Sequence, residues 1–490
     1  MKSAAPRPFL FALLALAALC QSACTVPLSP GYRILKETRE IHFLPGAQPA
    51  LHISTEFLLE NSGNLPLDFI DIKFPKTKDF GLENLRVQWN GQDAVPASIP
   101  SDDPARSPGV LRVPFVSAWP RGSKIKLAVD YDFRAPEDAG ERITMGASSF
   151  HLGPRGWLPL PQPPHHFLSP YPVRPNPTRC TVRVPSGFLV LAGGTPAKPK
   201  QDGGEIVYRF DLRKSDAGSF VVAGRYITST SPSKLTPVIF WTIEPLPGDV
   251  SQASARIASA WSVLQNDFGP LGKDIRGPYI IESPGLRAHI AGEEGPAAGS
   301  FPGGALVNPA ALALGIDSDD FLAIVSHALA HNWFSQNLYP APDAAIGMGE
   351  GLPEYAAIAI DEAQGGEAAR RRHIEKFLRE FDEAQRHATE IPLGVITPAD
   401  SLAQRRISLA KAPLFFAALE DACGPASTHE GLTRLATLLR GQEAGYSDLR
   451  SALERASGKN LAEIFRVWLN QKGIPADFRA RYEPGQQAAP

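Results

Sequence analysis

Two histidines four residues apart, His327 and His331 in FLAIVSHALAHNWF, are the side chains of the 490-residue chain whose type and spacing suggest chemistry most directly. On a helix that spacing projects both imidazoles from one face, as two nitrogen ligands of a zinc ion require. Eighteen residues, Asn332 to Gly349, separate His331 from Glu350 in GMGEGLPEYAA, where a second helix is expected to begin and to return a carboxylate to the same ion. His327, His331 and Glu350 then make three ligands and leave one position open. The alternative is a metal-free vestige, two helix histidines and a capping carboxylate held by hydrogen bonds. Glu354, one helical turn beyond Glu350, is a candidate acceptor for a histidine N–H, or else an ordinary surface glutamate.

The elements that must position these residues lie in the second half of the chain. Asp317 and Ser318 offer N-caps for the helix that carries both histidines, and Asp319 and Asp320 suit its first turn. From Pro237 onward the pattern predicts a strand in VIFWTIEP, a helix near Ser251–Phe268 and strands near Pro278–Ile281 and Ala305–Val307. Further helices are expected near Ala368–Arg386, Ile407–Ala422, Leu432–Leu439 and Leu461–Asn470. The first half, from Tyr32 to Thr228, runs in short alternating stretches such as LHISTEFLLEN and KIKLAVDYDF and reads as all-β. The polar run Thr228–Pro237 has the composition of a linker. The Pro-rich passage Trp157–Pro177 is expected as a surface connection, with His165 and His166 in a loop and Trp157 as a core or interface anchor.

Lys2 and Arg7 precede a twelve-residue apolar run, Phe9 to Cys20, too short to span a bilayer, so residues 1–23 are expected to be a signal peptide. QSAC before residue 25 resembles the lipobox of bacterial lipoproteins except for Gln21, which makes Cys24 a candidate for lipidation; the alternative is simple secretion. Cys180 and Cys423 are expected to be small buried apolar residues rather than a disulfide framework. A formal charge of −2 implies no nucleic-acid partner, and 47 prolines with 42 glycines exclude a coiled coil or helical-repeat array.

HALAH, eighteen residues, then Glu resembles the gluzincin metallopeptidases of the membrane alanyl aminopeptidase family, whose pattern is HExxH, 18 residues, then Glu. Trp333 and Phe334 match the aromatic pair that follows the family's histidines, and GEGLPEY matches its NEGFAxY-like stretch. Ser457–Pro475 looks like the helix ending its catalytic domain, and SFVVAGRY, Ser219 to Tyr226, like the end of its β-domain. The resemblance implies a multidomain fold: an N-terminal all-β sandwich or saddle over 30–228, then an α+β thermolysin-like domain ending in helices over 237–480. Zinc is the cofactor implied.

Three positions depart from the family. Ala328 stands where the family has the glutamate that takes a proton from water and passes it to the leaving amine. Leu409, in LAKAPLFFAAL, stands where a tyrosine hydroxyl stabilises the oxyanion. Pro302 stands where a glutamate holds the substrate's α-amine, with Glu293 and Glu294 upstream as candidate substitutes or as a solvated turn. The reading is therefore a non-catalytic, zinc- and peptide-binding pseudopeptidase, exported to the cell envelope, with a peptide or protein ligand in its cleft and a lipid anchor at Cys24. The alternatives are an active zinc peptidase with a substitute base such as Glu293 or Glu294, and a metal-free structural surface lipoprotein.

Overall fold

Alternation of apolar and polar residues builds the first half. In Lys124–Arg134 the side chains of Ile125, Leu127, Val129, Tyr131 and Phe133 are buried while Lys124 and Lys126 face solvent, the period-two pattern of a half-buried strand. The computed structural model describes residues 31–483 apart from 64, 75–80, 100–108, 135–142, 154–156, 158–159, 162–176, 213–219, 232–235, 247–249, 273–274, 287–294, 335–337, 399 and 441. Cys24, His165, His166, Glu293 and Glu294 lie outside the described residues.

The chain is sheet-rich in its N-terminal part and helical in its C-terminal part. The largest sheet is built on β1 (Arg33–Leu44), β2 (Ala50–Glu60) and β3 (Lys124–Arg134), with β2 antiparallel to both neighbours. On the other side of β1, β5 (Pro177–Pro185) runs parallel to it and pairs antiparallel with β6 (Glu205–Asp211). The strands Leu67–Phe74 and Gly109–Trp119 form part of a second sheet, and β4 (Ser149–Leu152) pairs with β7 (Val221–Gly224) in a third. One apolar cluster joins all three and includes Phe43, Phe57, Ile70, Tyr131, Phe150 and Val221. Trp157 belongs to it, fully buried, with Arg39 over its ring at 5.1 Å and its Nε1 donating to Gly153 O at 2.6 Å. Cys180 and Cys423 are free and buried, as their composition suggested.

The expected linker needs correction at its start. Ile227–Thr230 is a strand, β8, antiparallel to β9 (Ile239–Thr242), because its β-branched residues find a ladder partner there. β9 lies parallel to β10 (Tyr279–Glu282), and β10 parallel to β12 (Gly304–Val307), whose antiparallel edge partner is β11 (Ala298–Phe301). This five-stranded sheet meets the β4/β7 sheet through Phe220, Val222, Trp241, Phe301 and Leu306, and Thr144 Oγ1 lies 2.8 Å from Ser283 Oγ. The strand β4 is thereby held against the second half.

Helices α1 (Ser251–Phe268) and α2 (Asp319–Phe334) fall where expected. The helix expected over Ala368–Arg386 is the second limb of a longer element, α3 (Gly351–Gln385), which bends at Gly366, where φ is +69°. Only glycine adopts that conformation without steric cost, so the chain reverses there and the limbs pair through His373 Nδ1 and Asp361 Oδ2 at 2.8 Å. α4 (Leu402–Cys423) opens on a capping box between Ser401 and Gln404, and α5 (Pro425–Leu438) and α7 (Ala462–Asn470) match expected segments. Among the described residues, α6 (Tyr446–Ser457), α8 (Ala476–Tyr482) and the one-turn helix Pro309–Leu312 were not anticipated, although α6 carries a clear apolar stripe, burying Tyr446, Leu449 and Leu453 at i, i+3, i+7. No helix among the described residues is long and apolar enough to cross a membrane.

A buried ion pair fixes α4. Lys411 Nζ donates to Glu390 Oε1 and to Gln471 O, both at 2.7 Å, and Glu390 Oε2 accepts from Gly473 N at 2.6 Å and Gln385 Nε2 at 3.0 Å. Burial pulls the Lys411 pKa below its ordinary value, against the opposing pull of Glu390. Removing one partner of such a pair typically costs about 3–5 kcal/mol, since the other charge stays buried. Lys411→Met is expected to lose about 3 kcal/mol in urea denaturation, and adding Glu390→Leu to recover part of it. An unchanged midpoint for Lys411→Met would mean that the pair does not hold α4.

Candidate metal centre

The rotation of α2 decides which way the two histidines face. Ser318 Oγ accepts from Phe321 N at 3.1 Å and starts the helix, and Asp319 and Asp320 favour its positive end. At the other end Trp333 packs edge-on against Trp261 with ring centroids 5.1 Å apart, and its Nε1 donates to Gly269 O at 2.7 Å. Asn332 accepts from Gly303 N at 2.7 Å and donates to Gly304 O at 3.2 Å, tying the helix to the turn between β11 and β12. With Asn332, Trp333 and Phe334 committed to the interior, His327 and His331 face a cleft of about 1090 Å³.

Glu350 arrives from the start of α3. Gly351 follows it, where a Cβ would lie 2.5 Å from the Ala412 Cβ, so only glycine lets α3 begin this close to α4. His327 Nε2 and His331 Nε2 are 3.0 Å apart, and Glu350 Oε2 lies 3.7 Å from the first and 3.5 Å from the second. Zinc bonds of about 2.0–2.1 Å at tetrahedral angles require ligand atoms roughly 3.3 Å apart. The three edges bracket that value, and the donor set of two imidazoles and one carboxylate suits zinc. Among the described residues these three form the group of histidine, cysteine and carboxylate side chains close enough to share an ion.

The charges are mutually supporting. Burial by itself would lower the His327 pKa, but Glu354 and then Glu350 outweigh it and hold it well above the usual imidazole range. Burial would raise Glu350, yet His331 and His327 pull it far below the ordinary carboxylate value. Glu354 Oε1 lies 3.0 Å from His327 Nδ1, an ion contact that is not aligned as a hydrogen bond, and its pKa is lowered in the same way. The expectation that Glu354 attends a histidine thus has a geometric basis.

The three departing positions are placed as follows. Ala328, between the histidines, is 1% exposed and belongs to the core cluster. Leu409 on α4 lines the same cleft as His327, His331 and Glu350. Pro302 is buried in the tight turn between β11 and β12 and does not line the cleft; Ala298 and Ser300 of β11 do. The Pro-Gly pair makes the turn, with Gly303 at φ +100°.

Several cleft residues escaped the sequence reading. His151 on β4 is buried and lines the cleft from the β-rich part, 176 positions before His327, with nothing local to mark it. Ser326 and Arg405 also line it. Arg405 had a usable signal, since Leu402, Arg405 and Leu409 share one face of α4 at i, i+3, i+7.

No protein-family model matches this sequence, and no curated protein matches it. Solved structures do. An M1 zinc metallopeptidase from Deinococcus radiodurans superposes with a TM-score of 0.65 at 17% identity, covering 91% of this chain and 95% of that one. A glutamate-to-alanine variant of an M1 zinc metallopeptidase from the same organism, bound to a Tyr-Ser-Ala substrate, gives 0.64 at 18% identity over 91% and 96%. Native yeast LTA4 hydrolase gives 0.66 at 12% identity over 91% of this chain and 69% of that one. Over that span the chain has the fold of M1 zinc metallopeptidases.

Proposed function

We propose that this chain is a degenerate member of the gluzincin aminopeptidase family that holds zinc through His327, His331 and Glu350 and binds peptides without hydrolysing them. One observation carries the reading: three ligand atoms at zinc-compatible separations share a cleft with Leu409, while Ala328 sits between the two histidines. Bound there, zinc would supply Lewis-acid polarisation of a ligand carbonyl. The chain's own residues add little to that. A methyl at 328 has no lone pair to take a proton, and general-base catalysis is worth roughly 10²–10⁴-fold. A leucine at 409 has no donor for an oxyanion, worth about 10²–10³-fold. The cleft and the ligand set would outlive both losses, because neither position contributes to ligand spacing. The thermolysin-like name for the second domain, with boundaries 30–228 and 237–480, belongs to this proposal. Peptide binding is supported by the Deinococcus variant, whose fold holds a tripeptide substrate. Export with a lipid anchor at Cys24, at the cell envelope, completes the reading on sequence grounds.

Metal analysis of the purified mature protein should find about one zinc per chain, and His331→Ala should abolish it. Absence of zinc after loading, or full retention by the variant, would favour the metal-free structural reading instead. Wild type should show negligible peptidase activity. Ala328→Glu with Leu409→Tyr restores both missing roles and should gain measurable, zinc-dependent turnover, more than Ala328→Glu alone. Because position 328 is packed, thermal melting of each variant must show that it is folded. Robust wild-type turnover that vanishes on replacing Glu293 or Glu294 would support a substitute base and sink the pseudopeptidase.

Cys24 should be the first residue of the mature chain and carry lipid, with Cys24→Ser released into the soluble fraction. An unmodified N-terminus elsewhere, seen by mass spectrometry, would remove the anchor.

A further inference from the structure

Among the charged side chains that line the cleft, Arg372, Asp320 and Arg405 have no side-chain partner among the described residues, and of these Arg405 is partly buried while the other two are exposed. Arg256 donates to Asp317 O and Asp319 Oδ1, His373 contacts Asp361, and His327 contacts Glu354. Arg405 forms no ion pair and no side-chain hydrogen bond with any described residue. Its Nε is shut off from solvent and unpartnered. Asp320 lines the same cleft and does not pair with it. The backbone that carries Arg405 is fixed in the first turn of α4, which opens on the Ser401/Gln404 capping box, with Gln404 N donating to Ser401 Oγ at 3.3 Å. Leu409 lies one turn further along the same face.

An unpaired guanidinium with a desolvated N–H is costly to the folded chain, and that cost is recovered when an anion supplies the missing acceptor. The rigid fork of arginine matches a carboxylate in bidentate fashion, and pairing in a partly dehydrated cleft is stronger than at an open surface. Ser326 Oγ, buried on the cleft wall and also without a partner, adds a second polar group awaiting a ligand.

We propose that Arg405 is a specificity-determining residue that binds a carboxylate of the cleft's ligand, so that the cleft selects short peptides with a free C-terminus or an acidic side chain. This rests on the reading of the cleft as a peptide site. The anion is a carboxylate in either case, and the test distinguishes its two sources.

Isothermal titration of the zinc-loaded full-length mature protein would compare trialanine, trialanine amide and the amide of Ala-Ala-Glu. If Arg405 holds a C-terminus, trialanine is expected to bind about 10- to 100-fold more tightly than its amide, the range of one charge-assisted pair. If an acidic side chain is what Arg405 holds, the Glu-containing amide binds about 10- to 100-fold more tightly than trialanine and trialanine amide, which then match each other; if the C-terminus is, the Glu-containing amide matches trialanine amide. Arg405→Gln should abolish the carboxylate preference with zinc stoichiometry and melting temperature retained, and Arg405→Lys should restore part of it. Equal binding of all three peptides by wild type, or a preference that survives in Arg405→Gln, overturns this inference and leaves the peptide reading standing. Failure of all three ligands to bind wild type overturns both.

Discussion

Everything near the cleft depends on the close approach of α3 to α4 at Gly351 and Ala412. That contact sets where Glu350 stands relative to α2, and so whether its carboxylate meets the two imidazoles. It also brings Leu409 and Arg405 to the same cleft. A side chain at 351 would separate the helices by more than the tolerance of a metal site, where donor atoms must sit within a few tenths of an ångström of their places. The Lys411–Glu390 pair is the matching constraint on the other side of α4, fixing the helix by charge where Gly351 fixes it by size.

The ligand triangle and the catalytic positions answer to different demands. The triangle needs backbone placement: a helix whose rotation is set by Asn332 and Trp333, and a second helix that starts at the right distance. A general base or an oxyanion donor needs only a side chain of the right kind on an element already in place. On the proposed reading, alanine at 328 and leucine at 409 would therefore remove a chemical role while leaving the scaffold intact. The short, apolar replacements are compatible with their surroundings, Ala328 buried in the core cluster and Leu409 packed against it.

How much of this could be read from the chain follows from where each feature is encoded. The histidine helix is local: a cap at Ser318, acids in the first turn, and a four-residue repeat that fixes a shared face. The eighteen-residue step to Glu350 is also local enough to be counted. The parallel pairing of β1 with β5 joins residues some 140 positions apart, Arg39 with Cys180, and no local pattern specifies it. The bend at Gly366 was missed because QGGEAAR reads as the prelude to a helix rather than the turn inside one. Pro302 stands in the Pro-Gly turn after β11, while Ala298 and Ser300 of the strand itself line the cleft, a placement set by the turn rather than by any local pattern. His151 was invisible because it reaches the cleft through the packing of one sheet on another.

The distribution of charge around the cleft carries the functional argument one step further. Near the histidines the carboxylates of Glu350 and Glu354 are committed to imidazoles, and their pKa values fall because those partners favour the ionised form. Their charge is therefore spent on positioning the site rather than on attracting a cationic ligand. The strand β11 presents Ala298 and Ser300 to the cleft, neither of which carries charge. Arg405, by contrast, is a charge without a partner. Among the described residues the uncommitted charge held partly inside the cleft is positive, and a ligand gains most by offering it an anion. On the proposed reading, a cleft arranged this way would discriminate by the acidic end of what it binds, a selection that needs no turnover.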